Sequence, residues 1–145
     1  VLDAVLEILR PSMEAKRQSY SQHLPDDLPR LLADPERLHQ VMQNLLTNAH
    51  KYTPEGGRIW VEARQEGDRV RVAVHDTGIG LSEEDKRHVF TKFFRVQRPE
   101  TAEIAGTGLG LAIVQTIIQV HGGEVFVESQ LNVGSTFGFY LPAAP

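Results

Sequence analysis

The chain has 145 residues, 41 % apolar and 23 % charged, the balance of a soluble globular protein long enough to bury a core. Its net charge of −4 gives no electrostatic footprint for nucleic acid or for direct contact with an anionic membrane surface. Without cysteine there is no disulfide framework and no thiolate chemistry, which leans toward the cytosol, and no apolar run approaches the length of a membrane span.

Val1, Leu2, Val5, Leu6 and Leu9 already form an amphipathic pattern, so residues 1–145 read as one domain, a fragment of a longer protein. Helical spacing runs from Leu2 to Lys16, with Pro11 expected to end or kink the helix. Two short extended pieces follow near Tyr20 and Leu31, with a Leu24-Pro25-Asp26-Asp27 turn between them. Asp34 as N-cap and Pro35 as first helical residue predict a helix to about Tyr52, stopped by Thr53-Pro54-Glu55-Gly56-Gly57. Arg58 to Arg64 and Arg69 to Asp76 alternate at period two around Glu66-Gly67-Asp68 and read as a hairpin. Ser82 with Asp85 starts a short helix reaching Phe90.

Arg95 to Gly108 is polar and glycine-bounded, the composition of a mobile loop. Leu109 to Val120 is apolar nearly all round, which predicts a buried helix. Glu124 to Glu128 and Ser135 to Leu141 are closing strands that turn at Asn132-Val133-Gly134. The economical assembly is a two-layer α/β sandwich of the α+β kind: a mixed, mainly antiparallel sheet with helices on one face.

Three stretches carry chemistry. In QNLLTNAHKY, residues 43 to 52, Asn44, Asn48 and Lys51 fall within roughly 60° of one another at about 100° per residue. Leu38, Val41, Met42, Leu45, Leu46 and Ala49 fill the neighbouring arc, so the amides stand at the edge of a buried stripe. Such amides either satisfy nearby backbone or meet a polar ligand or hard cation, and Lys51 on the same stripe favours something anionic.

In VRVAVHDTGIG, residues 70 to 80, Asp76 shares the parity of Val70, Val72 and Val74 and is aimed toward the core where the strand ends in Gly78 and Gly80. It either caps its own turn or accepts a ligand N–H in an apolar pocket. In AGTGLGLAIV, residues 105 to 114, alternating glycines open into a helix, an arrangement suited to phosphate. The dinucleotide fingerprint breaks at Leu111, and no Gly-Lys pair exists for a Walker-type loop. Together the three describe a magnesium–nucleotide pocket.

These motifs resemble the catalytic and ATP-binding domain of bacterial sensor histidine kinases, in the superfamily shared with DNA gyrase, the Hsp90 chaperones and MutL. DPERLHQVMQNLLTNAHKYTPEGG is similar to the family's N box, DTGIG to its first glycine box and VFTKFFR to its phenylalanine box. GTGLGLAIV resembles the second glycine box and GSTF the last. The resemblance covers essentially the whole chain and implies the Bergerat-type ATP-binding fold.

It further implies that Asn48 ligates the Mg²⁺ that bridges the ATP phosphates, with Asn44 assisting. Lys51 would contact phosphate, Tyr52 the adenine or ribose, and Asp76 the adenine amino group. Gly78, Ile79 and Gly80 would pack at the base, with Thr136 in the adenine network. Phe90, Phe93 and Arg95 would anchor the near end of an ATP lid, Arg95 also as a phosphate ligand. Gly106, Thr107, Gly108, Leu109 and Gly110 would form its far end.

Relatives that hydrolyse ATP place a glutamate four residues before the metal-binding asparagine; here that position is Asn44, and an amide is no general base. None of the histidines at 23, 39, 50, 75, 88 and 121 lies in anything like the family's acceptor motif. The acceptor is expected upstream of Val1, on a helical dimerisation module, with a response regulator downstream. The competing readings are an ATP-gated clamp or chaperone-type ATPase and a degenerate nucleotide-binding regulatory module.

Overall fold

Two runs of alternating apolar residues and one long amphipathic helix organise the computed structural model, which describes residues 1–102, 104 and 106–145. The elements in chain order are α1 (Leu2–Ala15), β1 (Ser19–His23), α2 (Pro35–Tyr52), β2 (Arg58–Glu66) and β3 (Arg69–Asp76). They continue with α3 (Glu83–His88), a 3₁₀ turn (Pro99–Thr101), α4 (Gly110–Val120), β4 (Glu124–Gln130) and β5 (Gly134–Pro142). The sheet order is β1-β2-β3-β5-β4, with β1 parallel to β2 and every other pairing antiparallel. It is the mixed, mainly antiparallel sheet expected, with the helices on one face.

Helix α2 begins as its sequence dictates: the Asp34 carboxylate accepts the Glu36 N–H at 2.9 Å and Pro35 fills the first turn. Its buried stripe of Val41, Met42, Leu45, Leu46 and Ala49 lies against the inward residues Val61, Val74 and Phe139. Because β2 and β3 pair with Glu66 opposite Arg69, their hairpin turns through Gly67 and Asp68 alone. Register then puts Val70, Val72, Val74 and Asp76 on the buried side of β3.

The opposite face of the sheet is protected by its own arginines. Arg58, Arg69 and Arg71 lie over the rings of Trp60, Tyr140 and Phe126 at 5.4, 4.2 and 4.5 Å.

Three expectations change. Helix α1 does not end at Pro11 but continues to Ala15, because Val5 and Leu6 before it and Met13 after it are buried together while Pro11 itself faces solvent. Helix α3 ends at His88, two residues before Phe90. Helix α4 is buried on one side only, through Ala112, Val114 and Ile118, and Val120 is 79 % exposed. It packs on α2 and the edge strand β4, so an all-apolar composition does not enclose it.

Candidate functional site

The C-terminal ends of α2 and β3 meet beside the start of α4, and a cavity of about 230 Å³ opens between them. Its wall carries Asn44, Asn48, Lys51 and Tyr52 from α2, then Asp76, Ile79 and Gly80 from the end of β3 and the turn after it. Arg95, Gly106, Thr107, Gly108 and Gly110 close it from the segment between α3 and α4. Twelve of the seventeen residues that the resemblance assigned to the site thus converge on one space.

Asp76 is the centre of its polar floor. At 6 % exposure its Oδ1 accepts the N–H groups of Gly78 at 2.8 Å and Ser135 at 3.2 Å. Burial raises its pKa from 3.8 to about 6, and the two N–H donors oppose that rise. The apolar walls around it are Leu81, Val89 and Phe137. Gly78 does not line the cavity, but it sets the geometry. A Cβ there would lie 2.5 Å from the Tyr52 carbonyl oxygen and 2.7 Å from Asp76 Oδ1.

Helix α2 contributes the two amides of the wall. Asn44 Nδ2 donates to the Gly110 carbonyl at 3.3 Å, tying α2 to the first turn of α4 and leaving its Oδ1 as an acceptor. No described residue hydrogen-bonds the Asn48 amide, which borders the cavity half-buried. No group of three His, Cys, Asp or Glu among the described residues would cage a metal. The donors on offer are amide oxygens, which suits a hard cation held mainly by phosphate and water.

Leu109 is the N-cap of α4 and does not line the space, and its N–H donates to Thr107 Oγ1 at 3.2 Å.

Thr136 is a correction. Its hydroxyl meets His75 Nδ1 at 2.9 Å on the opposite face of the sheet. Because β5 pairs Ser135 with Asp76, Ser135 and Phe137 face the cavity and Thr136 faces away. Phe93, a residue 71 % exposed, anchors through its main chain and not through its ring. Its backbone does the work: Phe93 N–H donates to Gly108 O at 2.8 Å, and Gly108, at φ +75°, leaves a Cβ no room against Phe93. Phe90 does anchor, edge-on to Phe137 at 6.3 Å, and Phe94 rather than Phe93 lines the cavity.

The first half of the segment expected to be a mobile loop is tied by hydrogen bonds to the cavity floor and to itself. Arg98 donates to the carbonyls of Gly80 at 3.1 Å and Ile79 at 3.2 Å, and pairs with Glu100 at 2.7 Å. The buried Thr101 hydroxyl donates to Val96 O and accepts the Arg98 N–H, while Arg95 donates to the Ile104 carbonyl. Arg98 and Thr101 were missed because a polar composition does not distinguish a solvated loop from one whose polar groups bond backbone. None of the six histidines lines the cavity.

Two outcomes follow from this geometry. Asp76 is more basic folded than unfolded, so the native state binds its proton more tightly and stability falls as pH rises from about 3.8 to 6. Above that window the penalty is of order 3 kcal/mol. Asp76→Asn should therefore raise urea-measured stability at pH 7.5, by up to about 3 kcal/mol, and change little below pH 4. Thr136→Val should leave calorimetric nucleotide affinity within about twofold, since the hydroxyl faces the far side; a much larger loss would return it to the site.

The profile described as histidine kinase-, DNA gyrase B-, and HSP90-like ATPase matches residues 33–145. The adaptive-response sensory kinase SasA of Synechococcus elongatus is 41 % identical over 143 residues, 98 % of this chain and 36 % of its own. The chain thus spans about a third of the length of that relative. The catalytic domain of histidine kinase ThkA superposes with a TM-score of 0.84 at 32 % identity, over 99 % of this chain and 92 % of that one. ThkA in complex with response regulator protein TrrA gives 0.81 at 30 %, covering 99 % of this chain and 40 % of that one. Full-length ShkA in complex with AMPPNP gives 0.84 at 34 %, covering 99 % and 29 %. A cavity floored by a buried aspartate, edged by two asparagines and closed by a glycine-rich segment sits where these matches run. The chain belongs to the histidine kinase-, DNA gyrase B- and HSP90-like ATPases, and within them to the ATP-binding catalytic domains of histidine kinases.

Proposed function

We propose that this chain binds Mg–ATP in the cavity and directs the γ-phosphate to a histidine on a separate helical dimerisation module. That histidine would then pass the phosphoryl group to a response regulator. The observation that carries the reading is the make-up of the cavity wall. The end of β3 supplies a buried carboxylate with apolar neighbours, and α2 supplies two half-buried amides with Lys51.

Asp76 keeps one oxygen engaged by Gly78 and Ser135, so its second oxygen serves as acceptor for the adenine amino group. Tyr52 and Ile79 flank the same region of the wall. Lys51 offers a cation to the phosphates, and Thr107, Gly108 and Gly110 bring backbone close at the start of α4. Arg95, on the near side of the closing segment, is positioned to add a second cation. The Asn48 amide oxygen, helped by Asn44 Oδ1, is the ligand set for Mg²⁺. Bound there, Mg²⁺ would neutralise phosphate charge and fix the γ-phosphate in line for transfer.

In the transfer the bond from the γ-phosphorus to the bridging oxygen of ADP breaks and a phosphorus–nitrogen bond to imidazole forms. The imidazole proton leaves to solvent. No base from this chain is required, because a neutral imidazole is already nucleophilic. Asp76 is the one carboxylate among the described residues lining the cavity, and it is engaged by the N–H groups of Gly78 and Ser135. Water therefore lacks an activating base, and hydrolysis should be slow. Use of ATP puts the site in the cytosol, and no helix among the described residues is long and apolar enough to cross a membrane.

The chain should bind Mg–ATP without labelling itself, and should form acid-labile phosphohistidine when the helical module of its parent protein is added. Brisk hydrolysis by the chain alone would contradict the kinase reading and favour a clamp-type ATPase.

A further inference from the structure

We propose that Lys16 and Gln18 are positioning residues for the phosphate end of the nucleotide site, acting through the carbonyl groups at the C-terminus of α2. The inference rests on the nucleotide reading above. Its physical basis is the set of carbonyl oxygens that every helix leaves unpaired in its last turn.

Helix α1 ends in a left-handed cap. Arg17 has φ +54°, Arg17 N–H donates to Glu14 O and Gln18 N–H donates to Met13 O, both at 2.9 Å. This tight reversal aims Lys16 and Gln18 sideways at the end of α2. Lys16 Nζ donates to the carbonyls of His50 at 2.9 Å and Lys51 at 3.3 Å. Gln18 Nε2 donates to His50 O at 3.0 Å and Thr53 O at 2.7 Å, while its Oε1 meets His50 Nδ1 at 2.7 Å. With Oε1 as acceptor, His50 Nδ1 must carry the hydrogen.

Gln18 is only 7 % exposed, and both of its donor directions and its acceptor are used. A buried amide so fully engaged does more than fill space. The backbone locks the same junction: Gly56 N–H donates to Lys16 O at 3.1 Å and Ser19 N–H to Gly57 O at 3.0 Å.

The consequence falls on particular residues. The Tyr52 carbonyl is held separately, by the Ile79 N–H at 3.2 Å. The carbonyls of His50, Lys51 and Thr53 are held by Lys16 and Gln18. Lys51 is the one of these three that lines the cavity. Lys16 also places a cation at the negative end of the α2 dipole, directly behind the Lys51 backbone. Loss of these ties would let the turn bearing Lys51 relax while the Tyr52–Ile79 contact and the Asp76 floor stay in place. Phosphate recognition should suffer and nucleoside recognition should not.

The test compares Mg–AMPPNP with adenosine, by calorimetry and by amide shifts, on the chain and its Lys16→Met, Lys16→Arg and Gln18→Met variants. The expected result is about tenfold weaker Mg–AMPPNP binding by Lys16→Met and Gln18→Met, with adenosine affinity within about twofold and Lys16→Arg close to the parent. Circular dichroism establishes that each variant is folded; should Gln18→Met fail to fold, the partly exposed Lys16 pair decides the matter. Unchanged Mg–AMPPNP affinity in both Met variants would overturn the proposal. Equal loss for both ligands would also overturn it, since that marks a general loosening of the pocket. Failure of the unmodified chain to bind Mg–AMPPNP at all would instead overturn the nucleotide reading on which the proposal stands.

Discussion

The contact between the last turn of α2 and the turn after β3 is the constraint on which the site depends. The Ile79 N–H reaches the Tyr52 carbonyl at 3.2 Å, and Gly78 between Asp76 and Ile79 has no room for a side chain. The contact joins two elements that face different parts of the cavity. One is a helix edge carrying Asn44, Asn48 and Lys51; the other is a strand end carrying Asp76. Hydrophobic burial sets each element on the sheet, but burial is not directional. The glycine turn converts that loose placement into a fixed spacing between carboxylate and amides.

The same junction shows stability yielding to function. A carboxylate at 6 % exposure is unfavourable in its ionised form, and only two backbone N–H groups compensate it. The Asn48 amide has no described partner, and Asn44 spends its donor on the Gly110 carbonyl while its oxygen stays available. Polar groups held this way have lost water without gaining a full set of protein bonds. A ligand that supplies an amino donor at one end and oxygens with a cation at the other would complete them. The closing segment fits this logic, with its first half pinned by Arg98 to the floor of the cavity and its two ends joined by the bond from Phe93 N–H to Gly108 O.

Much of this was legible in the sequence wherever the determining interaction is local. Asp34 and Pro35 start α2 within one turn, and the period of β3 alone puts Asp76 on the buried side. Helix periodicity likewise groups Asn44, Asn48 and Lys51. Legibility ended where the determinant is a distant partner. Thr136 against Ser135 is decided by which of them pairs with Asp76 across two strands, and one residue of register exchanges the faces. Phe93 and Phe94 are separated by a left-handed backbone at Phe93 that Gly108 accommodates from fifteen residues away. Gln18 carries no signal in the sequence, and its role shows only once its amide is seen against the carbonyls of His50 and Thr53.

The central claim is that one cavity reads a Mg–nucleotide with Asp76 at one end and Asn48 at the other. Two-dimensional amide spectra of the labelled chain during titration with Mg–AMPPNP test it most directly. The account predicts that the backbone N–H signals of Gly78 and Ser135 and the side-chain amide of Asn48 shift with a common midpoint. Withholding Mg²⁺ should abolish the Asn48 shift and spare the other two. Gly78 and Ser135 signals that stay still on saturation, or an Asn48 amide indifferent to Mg²⁺, would contradict it.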